Sequence, residues 1–362
     1  MITILYWSNF SSLTQGGQRS LSYILRDIDR SKYKPVLACR EEGTLTSMAQ
    51  ELGIAVELFR LPAGIRPWYF IDILKFIFKL LKVIDKHKIK IIHSEELTVV
   101  FMAFFLKPVR QIITIWHVRV LWDMPFQKRI AVLISNAIVC VSRTVGESFR
   151  STSNKINIIC IGINPDEFKP ESEKAKSPLF TDNDVLIGQV GTLVEHKKTH
   201  ILLTSASAVL KKHPAAKFII IGQGEKDYTQ YLKNLAKELH IDKNIIFWGE
   251  EKNIKPLLNR LNIVCLLSKN EGLSRTLLES MCFEKTIIAS DIPENCELIV
   301  NEKTGLTAEL NSPEDTARQI NRLLDDKAFA AGLGKAAREY IINNFSLKKT
   351  ITLIEALYEK II

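Results

Sequence analysis

Short apolar runs alternate along this chain with longer segments whose apolar positions recur every three or four residues. The runs at 3–8, 34–39, 55–61, 89–93, 111–116, 137–141 and 156–161 predict strands. They are apolar nearly throughout, the pattern of strands covered on both faces. Segments such as 18–29 and 126–135 carry the helical period between them. Around Gly162 the pattern breaks. Ile163-Asn164-Pro165-Asp166 reads as a turn, and the polar, proline-bearing stretch 169–178 reads as a domain linker. The alternation then restarts, with strands predicted at 185–190, 217–221, 245–247, 263–267 and 286–289. Helices are predicted at 199–212, 228–239, 276–282, 312–324, 329–342 and 347–361. The fold class is α/β, with two doubly wound, mostly parallel domains over 1–165 and 166–345. In such sheets ligands bind beyond the carboxyl ends of the strands, so a cleft between the two domains is the expected pocket.

Charge sharpens this picture because it is lopsided. The 362 residues carry a net +9, yet residues 1–165 hold 22 Lys and Arg against 12 Asp and Glu, leaving the remainder nearly neutral. A basic first half implies an anionic partner: nucleic acid, a membrane surface or a phosphorylated substrate. Six cysteines without a CxxC pair read as reduced thiols of a cytoplasmic protein rather than a disulfide framework or a zinc site. The opening MITILYWS lacks a basic leader and reads as a first strand. The apolar run 97–106 is too short to span a bilayer, which needs about 20 residues.

The strongest chemical constellation is the segment from Ser268 to Glu279, SKNEGLSRTLLE, directly after the strand predicted at 263–267. Glu271 falls in the loop, Gly272 lets backbone approach a ligand, and the next residues open a helix whose free N–H groups favour an anion such as a diphosphate. Glu279 lies two helical turns beyond Glu271, so two carboxylates can read two hydroxyl-rich parts of one ligand. Gly16 and Gly17 follow the first strand but do not make a dinucleotide fingerprint. The segment 68–90 sets Lys75, Lys79, Lys82 and Lys86 on one face of a helix with a broad apolar arc, and Trp68, Tyr69 and Phe70 at its start. That pattern suits either a membrane surface or ordinary packing on the sheet.

The segment EGLSRTLLESM resembles the Glu-(seven residues)-Glu signature of the retaining family 4 glycosyltransferases with the GT-B fold. The resemblance extends over nearly the whole chain. It takes in Gly16-Gly17, Ile91-Ile-His-Ser94, the run ending at His117, Ala137 to Ser142, Gly162-Ile-Asn164, Gly191 to Lys197, Ile221-Gly-Gln-Gly224, Lys303-Thr-Gly-Leu306, Phe345-Ser and Tyr358. It implies two Rossmann-like domains facing across a cleft. The first binds the acceptor and the second the nucleotide-sugar, with a last helix, about 346–362, crossing back to the first domain. It implies that Glu279 bonds the donor ribose, that Glu271 lies by the transferred sugar, and that Gly272 and Leu273 offer N–H groups. Lys197 would neutralise the diphosphate and His117 would contact the donor sugar. Gly16, Gly17, Thr192 and Gly222 would line the donor site. Thr192 departs from the family, which has an arginine there; one phosphate cation is therefore missing unless Arg275 or Lys198 supplies the charge.

The implied function is transfer of a sugar from a UDP- or GDP-sugar to a glycan or polyprenyl-diphosphate-linked acceptor in cell-surface polysaccharide or lipopolysaccharide synthesis. No cofactor and no metal are expected: Lys197 and helix N-termini are expected to do the phosphate work, and Asp27-Ile-Asp29 falls inside a predicted helix rather than in a metal loop. No nucleic-acid partner is expected either, since no such motif is present. The expected location is cytoplasmic, with the inner face of the cell membrane as the place an anionic, lipid-linked acceptor would put it. The rival readings are a sugar-nucleotide epimerase on the same fold and a non-catalytic partner subunit.

Overall fold

The structure, a computed structural model, describes all residues except 15, 63–68, 122–123, 150–152 and 172–174. It divides into two units, Met1–Gly162 with Leu347–Ile362, and Ile163–Ser346. The division therefore falls after Gly162 rather than after Pro165. The stretch 169–178, expected as a linker, belongs to the second unit; its residues 172–174 lie outside the described ones.

The first unit is built on a parallel sheet of seven strands: β1 (Ile2–Ser8), β2 (Tyr33–Cys39), β3 (Ala55–Leu58), β4 (Ile89–Ser94), β5 (Ile113–Val118), β6 (Ala137–Cys140) and β7 (Ile156–Ile158), in the order 3-2-1-4-5-6-7. Every strand pair is parallel, which requires crossovers over the faces. These carry α1 (Gly16–Asp27), α2 (Thr44–Glu51), α3 (Phe70–His87), α4 (Leu97–Phe104), α5 (Lys107–Arg110), α6 (Pro125–Ile134) and α7 (Arg143–Glu147). Successive residues of β1 feed opposite cores, as the strand period demands. Ile4 and Tyr6 pack with residues of α1, while Leu5 and Trp7 pack with Phe76, Leu80 and Val83 of α3. Two strands stop three residues short of their predicted ends. β3 ends at Leu58, four residues before Pro62, which cannot donate to a ladder. β7 ends at Ile158, on the sheet's edge with β6 as its one neighbour.

The second unit holds a parallel sheet of six strands in the order 10-9-8-11-12-13. The chain runs β8 (Leu186–Val190), α8 (Thr199–Lys212), β9 (Lys217–Ile221), α9 (Lys226–Glu238), β10 (Ile245–Gly249), α10 (Lys255–Arg260), β11 (Ile263–Leu266), α11 (Arg275–Cys282), β12 (Thr286–Ser290), α12 (Pro293–Cys296), β13 (Leu306–Ala308), α13 (Pro313–Asp325) and α14 (Lys327–Asn344). Ile187, Phe218, Ile263 and Ile288 from its strands pack against Leu202, Leu232 and Ile320 from its helices. The last helix, α15 (Leu347–Ile361), returns to the first unit. Leu347, Ile351, Ile354 and Tyr358, spaced four, three and four apart, are buried in its core beside Ile4, Tyr6 and Leu37.

Candidate active site

Three loops of the second unit are laced together by glycine. Gly222, just past β9, has φ +134°, and a Cβ there would meet the Gly191 carbonyl oxygen at 2.0 Å. No side chain fits that backbone or that space. Its own N–H donates to Gly249 O at 2.7 Å, and Gly191 N–H donates to Ile221 O at 3.0 Å. The ends of β8, β9 and β10 are thereby held together. Thr192, next to Gly191, is exposed.

The loop after β8 then makes a 3₁₀ turn, Glu195–Lys197, and Lys198 takes a left-handed backbone at φ 54° before α8 begins. The buried Gln189 amide anchors this turn, donating to Lys197 O at 3.1 Å and to Thr199 Oγ1 at 3.0 Å. Lys269 N–H, in the loop after β11, donates to His196 O at 2.8 Å and ties the two loops side by side. The consequence is an ion pair 74 residues apart in sequence: Lys197 Nζ donates to Glu271 Oε1 at 2.6 Å.

Beyond Glu271 the chain is buried at Gly272 and Leu273 and enters α11, which Ser274 caps by accepting from Leu277 N–H. Glu279 is buried one turn after Arg275, whose Nε and Nη2 donate to Glu279 Oε1 at 3.2 and 3.1 Å. Arg275 is itself 7% exposed, so its guanidinium is engaged with Glu279 within the helix. Of the two candidate replacements for the arginine missing at Thr192, Arg275 is engaged with Glu279, and Lys198 is the neighbour of Lys197 in sequence. The 275/279 pairing was readable as an i,i+4 pair, though its burial was not. Glu294 gave no signal at all. It is buried on α12, where burial lifts its carboxyl above the usual carboxylate range despite hydrogen bonds from its own and the Glu271 backbone N–H.

Lys197, Glu271, Gly272, Leu273, Glu279, Thr192 and Gly222 belong to the second unit; Gly16, Gly17 and His117 belong to the first. Gly16 and Gly17 open α1 rather than sit in a loop before it. A Cβ on Gly17 would come within 3.4 Å of Arg119 Cδ, and Arg119 Nε lies 3.0 Å from Glu95 Oε2. His117 is buried on β5, its Nδ1 3.0 Å from His93 Nε2. Burial and the nearby Arg119 lower the His93 pKa to about 3 and hold His117 well below its ordinary value, so both rings are neutral at pH 7. Ser142 caps α7, accepting from Val145 N–H at 3.2 Å.

The lysine row of α3 is split by its surroundings. Lys86 Nζ donates to Glu57 Oε1 at 2.7 Å and Lys79 lies 3.9 Å from Glu57 Oε2. Lys82 is exposed, as is Lys75, whose ammonium lies 4.0 Å from Asp72, and Phe70, Ile71 and Phe78 are each more than 60% exposed beside them. Trp68, expected at the same edge, lies outside the described residues. Among the described residues no helix is long and apolar enough to cross a membrane.

Known families match both units. Residues 14–167 match the family described as Glycosyltransferase Family 4, and residues 170–340 match Glycosyl transferases group 1. The chain belongs to the family 4 glycosyltransferases. It is 23% identical over 344 residues to the UDP-Gal:alpha-D-GlcNAc-diphosphoundecaprenol alpha-1,3-galactosyltransferase of Escherichia coli, covering 89% of this chain and 88% of that one. It is 27% identical over 180 residues to a lipopolysaccharide core mannosyltransferase of Rhizobium leguminosarum bv. viciae, 49% of this chain. The chain spans about half or less of the length of the first curated relatives it matches. Among solved structures, a glycosyltransferase from Rickettsia africae superposes with a TM-score of 0.87 at 22% identity, covering 99% of this chain and 98% of that one. Anabaena HepE, in complex with UDP and glucose, superposes at 0.82 with 17% identity over 99% of this chain and all of that one. Both family 4 units are therefore GT-B-type Rossmann-like domains.

Proposed function

We propose that this protein transfers a hexose, with retention of anomeric configuration, from a nucleotide-sugar to a lipid-linked glycan of the cell surface. The observation that carries the reading is the Lys197–Glu271 ion pair in front of α11, with buried Glu279 one turn into that helix. In this reading Glu279 accepts from the ribose hydroxyls and Glu271 faces the hexose. The N–H groups of Gly272 and Leu273 meet the diphosphate. Lys197 pairs with the diphosphate as the bond from the anomeric carbon to its oxygen breaks. Negative charge grows on that oxygen during the step, so a fixed cation lowers the barrier more than it tightens substrate binding. The acceptor hydroxyl attacks the same face of the anomeric carbon and passes its proton to the departing diphosphate. The +10 of the first half and the apolar, lysine-bearing side of α3 suit an acceptor held at an anionic membrane. A polyprenyl-diphosphate-linked sugar on the cytoplasmic face meets both conditions. The galactosyltransferase relative, named for a diphosphoundecaprenol acceptor, supports this choice.

The test is a thermal-shift panel of UDP-, GDP- and ADP-hexoses, followed by release of nucleoside diphosphate with and without a polyprenyl-diphosphate sugar. One nucleotide-sugar should raise the midpoint. Its diphosphate should then be released only when acceptor is added, and Lys197→Ala should slow that release about 10²–10³-fold. An altered sugar with no acceptor requirement would make the protein an epimerase. Binding without turnover in any combination would make it a non-catalytic subunit.

A further inference from the structure

Four polar side chains of the first unit form one buried hydrogen-bonded line. The Tyr6 hydroxyl lies 3.0 Å from the Tyr358 hydroxyl, which lies 2.6 Å from His93 Nδ1; His93 Nε2 lies 3.0 Å from His117 Nδ1. The four are between 0% and 6% exposed, and they come from β1, α15, β4 and β5. His117 Nε2, at the far end, is buried and has no hydrogen-bond partner among the described residues. His117 also lines a small pocket with Ser20, Tyr23, Arg119, Ile161 and Thr350.

A line of neutral groups can carry its protons in one of two directions, and the ends decide which. A buried O–H requires an acceptor, and among the described residues the Tyr6 hydroxyl has Tyr358 for its partner. Tyr6 therefore donates to Tyr358. The Tyr358 proton then goes to His93 Nδ1. A neutral His93 carries its own proton on Nε2 and donates it to His117 Nδ1, and a neutral His117 is left with its proton on Nε2. The opposite direction would strand the Tyr6 proton in the core, where no ligand can reach it. The chosen direction leaves the single unsatisfied donor on the one residue of the four that borders the pocket.

We propose that Tyr358, on the C-terminal helix, acts through His93 to hold His117 in its Nε2–H form. His117 then presents a hydrogen-bond donor to an oxygen of the bound ligand and cannot serve as a general base. Tyr358 and His93 are positioning residues; His117 is the group that touches the ligand. That the ligand oxygen is a sugar hydroxyl rests on the proposed glycosyl transfer, whereas the tautomer does not.

Long-range ¹H–¹⁵N spectra of the full chain, labelled at histidine, read the tautomer directly. In the wild type at pH 7 both His93 and His117 should show a protonated Nε2 and a bare Nδ1. Tyr6→Phe should leave this unchanged, because Tyr358 still donates to His93. Tyr358→Phe removes the donor at Nδ1 of His93, so His117 should acquire an Nδ1–H population. Turnover with the nucleotide-sugar should then fall about two- to tenfold, as for one lost neutral hydrogen bond, while Tyr6→Phe keeps wild-type turnover. A wild-type His117 protonated on Nδ1 overturns the proposal, and so does a Tyr358→Phe spectrum identical to wild type. If Tyr358→Phe does not fold, the wild-type spectrum decides alone. If the tautomers are as stated but no sugar is transferred, the relay stands and the glycosyl-transfer reading falls.

Discussion

Arg275 turns its guanidinium back one helical turn onto the carboxylate of Glu279, and both side chains are about 95% shielded from water. Removing one member of such a pair leaves an uncompensated buried charge, which costs about 3–5 kcal/mol. Arg275→Gln should therefore lower the urea midpoint markedly, whereas Lys197→Ala, at a pair with more access to solvent, should move it far less. Equal midpoints for the two variants would contradict this. A second consequence concerns acid. Unfolded histidine takes up a proton near pH 6.5, while folded His93 resists until about pH 3 because burial and Arg119 disfavour its cation. Between those values the unfolded chain binds more protons than the folded one. Stability should accordingly fall as pH drops below about 6.5, by up to about 1.4 kcal/mol per pH unit for each such histidine. Urea midpoints at pH 7 and pH 5 test the slope, and His93→Gln should flatten it.

Among the elements, α3 shows how far a helical pattern can be read and where it stops. Its four lysines are equivalent in the sequence, but Glu57 of β3, a strand away, claims Lys86 and draws in Lys79. Lysines near an anionic surface contribute about 1 kcal/mol each. In this arrangement Lys82 and Lys75, whose one carboxylate neighbour among the described residues is the exposed Asp72, are the ones left to do so. Replacing both by glutamine should weaken co-sedimentation with anionic vesicles about thirtyfold at low salt; Lys86→Gln should change it little. Identical losses from both would show that Glu57 does not sort them. Strands with four buried apolar residues in a row, such as β1 and β11, were plain in the sequence because burial on both faces demands unbroken apolar runs. β13 was not, since three residues, Leu306–Ala308, carry no period. Within the site, Glu271 and Glu279 stood out by spacing. The contact of Lys197 with Glu271 depends on a backbone bond between two loops, from Lys269 N–H to His196 O, and a backbone bond leaves no residue type to read.

At the scale of the whole molecule, the second unit is one continuous stretch, Ile163–Ser346, while the first is assembled from both ends of the sequence. Residues 163–346 expressed alone should fold cooperatively and bind nucleotide. Residues 1–162 alone lack Ile351, Ile354, Leu357 and Tyr358, so the face of the sheet bearing Ile4, Tyr6, Leu37 and Ile115 keeps α1 and α2 but loses the α15 part of its cover. That fragment should be molten by near-ultraviolet circular dichroism, and joining 347–362 to it through a short linker should restore a sharp transition. Two equally well-folded fragments would refute this. The same threading sets a clock during synthesis. Chains are made at about 5–20 residues per second, so the ribosome spends on the order of ten to forty seconds on the second unit before α15 exists. For that interval the nascent first sheet waits with one apolar face only partly covered, by α1 and α2, and the second unit, begun later, is the first that can be finished. An aggregation-prone nascent state of this kind is where a chaperone would engage the chain, and the wait ends only when the ribosome has made the helix that carries Tyr358.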